Sequence, residues 1–301
     1  MQVPVSSEAE MLSFSFFEYF LIMLLVAFGA GCLGALVGIG GGVVISPFVT
    51  LFGVPPVYAI GASLIGVITT SCGAGITSFN RGSPANYRIG TLLLTTITSG
   101  AIIGTLTTIT LSRMHIDWIL YLAFGLVLIF CSIDLIRGGI AKEPVSIPTV
   151  GGLSKKLRLS SKYIDPTQKK EIEYHPSRIT EGMTAMFGAG IISGMLGVGG
   201  GVFNSLAMNS VMKIPFKVSA ATSNFMLGIT AATSVGILFS SGFIFPPIVA
   251  PVIMGILPGS IVGRSLLNKV KTPIAKFVLI LVLLSVSVEM LIKGGLITWL
   301  T

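Results

Sequence analysis

The sequence predicts an all-α polytopic membrane protein made of two inverted repeats, each a glycine-tipped helical hairpin plus three transmembrane helices. Three observations lead there. Of 301 residues, 52% are hydrophobic and only 10% are charged, whereas a soluble domain carries roughly 25% charged residues. Long stretches hold no charge, notably 89–111 and 218–262, and about 20 apolar residues cross the hydrocarbon core as a helix. A glycine-rich pattern near the start of the chain returns past its middle.

Taken in order, the apolar segments fall at 17–37, 43–53, 57–78, 91–111 and 116–137. A polar stretch follows, and then segments at 180–197, 202–212, 217–240, 246–266 and 274–297. The chain therefore divides into a first membrane repeat (1–137), a connecting loop (138–179) and a second membrane repeat (180–301). The N-terminal region carries Glu8, Glu10 and Glu18 and lacks the basic start of a cleavable signal, so the first apolar segment is expected to remain. Cys32, Cys72 and Cys131 are scattered in apolar segments with no metal-ligand spacing, and they read as small packing residues.

The duplication rests on particular residues. Gly31–Val43 reads GCLGALVGIGGGV and Gly190–Val202 reads GIISGMLGVGGGV. Gly38 pairs with Gly197, and Gly40, Gly41 and Gly42 pair with Gly199, Gly200 and Gly201. Pro56 pairs with Pro215 at the same spacing, and one inserted residue then brings Ala62-Ser63 onto Thr222-Ser223. At the repeat ends, Asp134 and Arg137 answer Glu289 and Lys293.

Charge placement orients the repeats. Lys and Arg collect in cytoplasmic loops of membrane proteins, and 138–179 holds eight of the nineteen here. With that loop inside, Arg81 and Arg88, Lys213 and Lys217, and Lys269 and Lys271 also fall inside if the copies are inverted. Arg113 is the exception, and both termini lie outside. The net charge of +8 is thus a topology signal, and no nucleic-acid partner is expected.

Segments 43–53 and 202–212 are too short to span, since eleven helical residues reach about 16 Å against a core of about 30 Å. Each reads as the returning arm of a hairpin tipped by its triple glycine. Glycine runs break helices. Broken backbone at membrane depth is tolerated only where protein or water surrounds it. Half-helices starting at Val43 and Val202 would aim their N-termini at one central spot, an arrangement suited to anions. Gly40, Gly41, Gly42, Gly199, Gly200 and Gly201 are accordingly candidate binding residues. Ser46, Ser63, Asn204, Thr222, Ser223 and Asn224 supply neutral donors near them. The competing reading is that the hydroxyls bond their own helices. Gly100, Gly104, Gly255, Gly259 and Gly263 read as packing glycines. Asp134 and Glu289 are candidates for ion coupling, with interfacial anchoring as the plainer reading.

At the GxGGG runs and the Gly61-Ala62-Ser63 and Ala221-Thr222-Ser223 elements, the sequence resembles the sulfite exporter TauE/SafE family. The resemblance implies ion-coupled secondary transport of a sulfur anion, such as sulfite or an organosulfonate, across the cell membrane. The residues themselves point to a carrier for a small anion. They leave open an anion channel, a carboxylate carrier or a non-transporting membrane assembly protein. His115 and His175 lie in or beside loops, so no intramembrane nucleophile has a base and no catalytic residues are expected. No nucleotide motif, cofactor or metal site is expected. The partners expected are the bilayer and a small anionic substrate, and homo-oligomers are allowed.

Overall fold

The computed structural model describes residues 16–37, 40–79, 85–138, 161–164, 171–266 and 272–300. Ten α-helices occur among them: α1 (Phe16–Val37), α2 (Gly42–Leu51), α3 (Pro56–Phe79), α4 (Tyr87–Arg113) and α5 (Asp117–Gly138), then α6 (Ile179–Leu196), α7 (Gly201–Leu206), α8 (Phe216–Ser240), α9 (Pro246–Leu266) and α10 (Thr272–Leu300). The segmentation expected from hydropathy holds. The arms begin one residue earlier than expected, at Gly42 and Gly201. Among the described residues, six helices, α1, α3, α4, α6, α8 and α9, are long and apolar enough to cross a membrane.

Helix ends follow local chemistry. Asn86 caps α4 by accepting the Ile89 N–H at 3.2 Å. α6 stops at Gly197, which takes a left-handed conformation with φ +69°. The outer surface carries Leu21, Leu25, Phe28, Ile103, Leu106, Leu126, Phe130, Met254, Leu281, Leu284, Val288 and Ile292 as exposed apolar side chains. Such an exterior suits lipid rather than water.

The two halves interlock. α1 packs along α9, and α4 packs along α6. The contacts repeat position by position. Gly31 faces the Ile256 carbonyl and Gly190 faces the Ile97 carbonyl, and these are equivalent places in the two copies. Gly259 lies on Phe28 as Gly100 lies on Phe187, and Gly263 lies on Cys32 as Gly104 lies on Ile191. A Cβ at any of these glycines, or at Gly255, would strike its partner helix, so the packing role expected of Gly100, Gly104, Gly255, Gly259 and Gly263 holds, and Gly31 and Gly190 share it. α3 crosses α8 with Gly61 near Leu238 and Ser71 near Gly228, so the two run antiparallel. α5 and α10 also run antiparallel, with Gly125 against Leu291 and Gly294 against Leu122.

Two features were not anticipated. The connecting segment contains an antiparallel hairpin, β1 (Ser161–Ile164) and β2 (Glu171–Tyr174). Tyr174 at its end is buried, and its hydroxyl accepts from Asn86 Nδ2 at 2.9 Å. The second feature is a π-helical turn, Ala207–Val211, that continues α7. It corrects the repeat alignment. Pro55, not Pro56, is the counterpart of Pro215: the Pro55 carbonyl accepts the Ala59 N–H, and the Pro215 carbonyl accepts the Ser219 N–H. Gly53 and Lys213, both left-handed, precede them at matching places. The extra residue of the second copy therefore sits in the π turn, where a single insertion is absorbed without breaking the helix.

Candidate functional site

The glycine tips of the two halves meet on one stripe of α3 formed by Ser63, Val67 and Thr70. These residues share a helix face at i, i+4 and i+7. A Cβ on Gly42 would lie 2.5 Å from Val67 Cγ2 and 3.1 Å from the Gly197 carbonyl oxygen. A Cβ on Gly199 would lie 2.7 Å from the same Val67 methyl. Both tips thus use missing side chains to approach one buried valine and each other.

The first tip is closed. Gly40 has φ +86°, while Gly41 is right-handed and begins the arm. The Gly41 N–H donates to Thr70 Oγ1 at 3.3 Å. Gly34 of α1 presses on the tip, and a Cβ there would come within 2.6 Å of the Gly40 carbonyl carbon. Ile45, the repeat counterpart of Asn204, is buried at 1% exposure. Ser46 is also buried, and its hydroxyl has no partner among the described residues. At the far end of this arm, Lys293 Nζ donates to the Thr50 carbonyl at 3.2 Å, where the helix dipole favours a cation. Gly38 and Ile39 lie outside the described residues.

The second tip gathers buried polar side chains. Gly197, Gly199 and Gly200 all adopt positive φ, at +69°, +77° and +67°. L side chains resist this conformation, which is why the run must be glycine. Ser63 Oγ, from the other half, donates to the Gly197 carbonyl at 2.7 Å. Ser223 Oγ donates to the Gly201 carbonyl at 3.4 Å. Beyond them sits Asn204. It is fully buried, yet neither its carboxamide oxygen nor its nitrogen has a partner among the described residues. A Cβ on Gly200 would lie 3.5 Å from Asn204 Oδ1 and 3.1 Å from Ser193 Oγ, so these side chains pack closely on the tip.

The remaining candidates fall elsewhere. Thr222 faces α4, where its Oγ1 accepts the Asn86 N–H at 3.0 Å. Asn224 is half-buried, and its carbonyl accepts from Ser71 Oγ at 2.6 Å. Glu289 is exposed on α10, and the side chain of Asp134 lies outside the described residues. Val67, Thr70 and Ser193 were not among the candidates. Ser193 was detectable, because it stands where the first copy has Gly34.

The chain as a whole matches a known family. Residues 23–290 match the family described as Sulfite exporter TauE/SafE. The chain belongs to this family. It is similar to the probable membrane transporter protein YunE of Bacillus subtilis (strain 168), 24% identical over 283 residues, 91% of this chain and 98% of that protein. The probable membrane transporter protein YdhB of the same organism is 24% identical over 250 residues, 82% of this chain and 90% of that protein. A probable membrane transporter protein of Methanocaldococcus jannaschii is 27% identical over 235 residues, 76% of this chain and 74% of that protein. No solved structure matches. This TauE/SafE chain is therefore a multi-pass membrane protein of a transporter family, not an enzyme.

Proposed function

We propose that the chain is an ion-coupled secondary transporter that carries a small sulfur-containing anion, bound between the two glycine tips. The observation that carries this reading is Asn204: a sealed, unpartnered carboxamide beside a glycine break. A buried amide without partners is costly, and a ligand at the tip would remove that cost. Neutral donors suit the task, because the tips hold no Lys or Arg and a transported anion must also be released. The description of the family supports sulfite or a related sulfonate as substrate. Gly40–Gly42 and Gly199–Gly201 form the walls, with Ser46 and Asn204 as the polar groups left vacant. Ser63 and Ser223 hold the second tip in shape.

The halves act as an inverted pair around this site, with 138–179 in the cytoplasm. The antiparallel crossings of α3 with α8 and of α5 with α10 support the inversion. Alternating exposure would then come from one half rocking against the other. Coupling through Asp134 or Glu289 is part of the proposal. The test is uptake of radiolabelled sulfite into proteoliposomes under an imposed proton or sodium gradient. Gradient-driven accumulation is expected, and equilibration that ignores every gradient would indicate a channel. A cysteine-free variant given single cysteines within 138–179 and 241–245 should label them from opposite faces.

A further inference from the structure

The two tips are not equivalent, and the difference reports on the ligand. In the first half, three places at the tip are consumed or apolar: the Gly41 N–H is bonded to Thr70, Gly34 packs backbone on backbone, and Ile45 fills the place of an amide, which leaves the Ser46 hydroxyl as the unpartnered polar group of that arm. In the second half, the same three places hold Gly200, Ser193 and Asn204. The missing Cβ of Gly200 lets Ser193 and Asn204 pack close on the tip: a Cβ there would lie 3.1 Å from Ser193 Oγ and 3.5 Å from Asn204 Oδ1. Asn204 is completely buried with both ends of its carboxamide unpartnered, and Ser193 is buried beside it.

A carboxamide is one acceptor joined to one donor group, whichever way the amide is turned. A fully deprotonated oxyanion can accept from the NH2 group but sets negative oxygen against the carbonyl oxygen. A ligand that carries an O–H or N–H beside its anionic oxygens satisfies both ends. We propose that Asn204, with Ser193, is the specificity determinant of the transporter, and that it selects anions bearing a hydrogen-bond donor next to the anionic head, such as hydroxysulfonates. The Asn204 nitrogen donates to an anionic oxygen, its oxygen accepts from the ligand X–H, and the Ser193 hydroxyl supplies a further contact. This inference rests on the anion-carrier reading above.

The experiment is calorimetric titration of the full chain in detergent with methanesulfonate, hydroxymethanesulfonate and sulfite. The two sulfonates carry the same charge and differ by one hydroxyl. Wild type should bind hydroxymethanesulfonate about tenfold more tightly, the worth of one satisfied buried acceptor. In Asn204→Leu that ratio should fall to one. Asn204→Asp, nearly the same shape, should lose both sulfonates through repulsion. Ser193→Gly, which restores the residue of the first half, should weaken both. Equal affinities in wild type would overturn the proposal, as expected if a buried water satisfies Asn204 in every state. A ratio that persists in Asn204→Leu would overturn it too. Should the substitutions prevent folding, seen as aggregation on size exclusion, the wild-type ratio decides alone. If wild type binds none of the three anions, the anion-carrier reading fails along with the inference. Binding of both sulfonates without preference removes only the inference.

Discussion

The first and second glycine tips come from one duplicated motif, yet they differ in backbone path and in the buried polar group left unpartnered, Ser46 beside the first and Asn204 beside the second. The first has its break at Gly40 and then resumes a right-handed path at Gly41, whose N–H is bonded to Thr70. The second stays left-handed at Gly200, the counterpart of Gly41. Thr70 and its counterpart Thr230 each donate to a carbonyl of their own helix, Gly66 and Met226, and it is Thr70 that also accepts a tip N–H. The arms differ as well. α2 is a regular helix containing Pro47, while the second arm passes into a π turn at Ala207–Val211. Its surroundings include the buried methionines Met186, Met208, Met212 and Met226, and methionine is the most adaptable core side chain. The comparison teaches that duplication supplied two breaks and that divergence gave them different backbone paths and polar groups; in the transporter proposed above, the first serves as a wall and the second as the receptor.

The largest expected effect that sharpens this comparison is at the matched glycines. Gly200→Ala forces an L residue into φ +67° and meets Ser193 at 3.1 Å. The backbone penalty alone is about 1–2 kcal/mol, and transport should be lost in vesicle uptake. Gly41→Ala keeps a right-handed backbone and meets Ala30 oxygen at 3.2 Å, so uptake should persist at a reduced rate. Equal damage at both sites would break the distinction between wall and receptor.

A smaller difference is expected between the two serines of α3 and α8. Ser63→Ala removes a 2.7 Å bond and strands the Gly197 carbonyl in the protein interior, a loss of about 1–3 kcal/mol. Ser223→Ala removes only a 3.4 Å contact and should cost less than about 1 kcal/mol, near the net value of an ordinary hydrogen bond. Thermal melts in detergent, supported by uptake rates, would rank them.

The smallest effect is expected on binding from Ile45→Asn, which copies the receptor residue into the wall. With Gly34 against the tip and the Gly41 N–H already engaged, the new amide finds no room for a ligand. Sulfite affinity measured by calorimetry should stay within about twofold, a change well under 1.4 kcal/mol, while stability falls from burying an unpaired amide. Gain of a second binding event would show that the first tip was closed only for want of an amide at position 45.

Much of this was legible in the linear chain. The segments, the shortness of the two arms, the duplication and the packing glycines on α4 and α9 follow from hydropathy and residue size. Asn204 stood out because an amide is costly in an apolar segment. Other candidates were displaced for reasons a local reading could not reach. Thr222 and Ser223 are adjacent, so on a helix they face different neighbours, and Thr222 turns to the start of α4. The proline pairing was misread because a π turn leaves no local signature in composition.

The sequence by itself determined the membrane class, the number and order of helices and the places where they break. Each depends on solvent preference and backbone propensity, which are properties of short stretches. Only the tertiary structure decided which tip is closed. That outcome depends on partners brought from elsewhere in the chain, such as the bond from Ser63 to Gly197 across 134 residues, the reach of Gly41 to Thr70 on the next helix and the packing of Ser193 and Asn204 against Gly200. A polar group counts as a binding group only when nothing else satisfies it, and the availability of a partner is a property of packing, not of sequence.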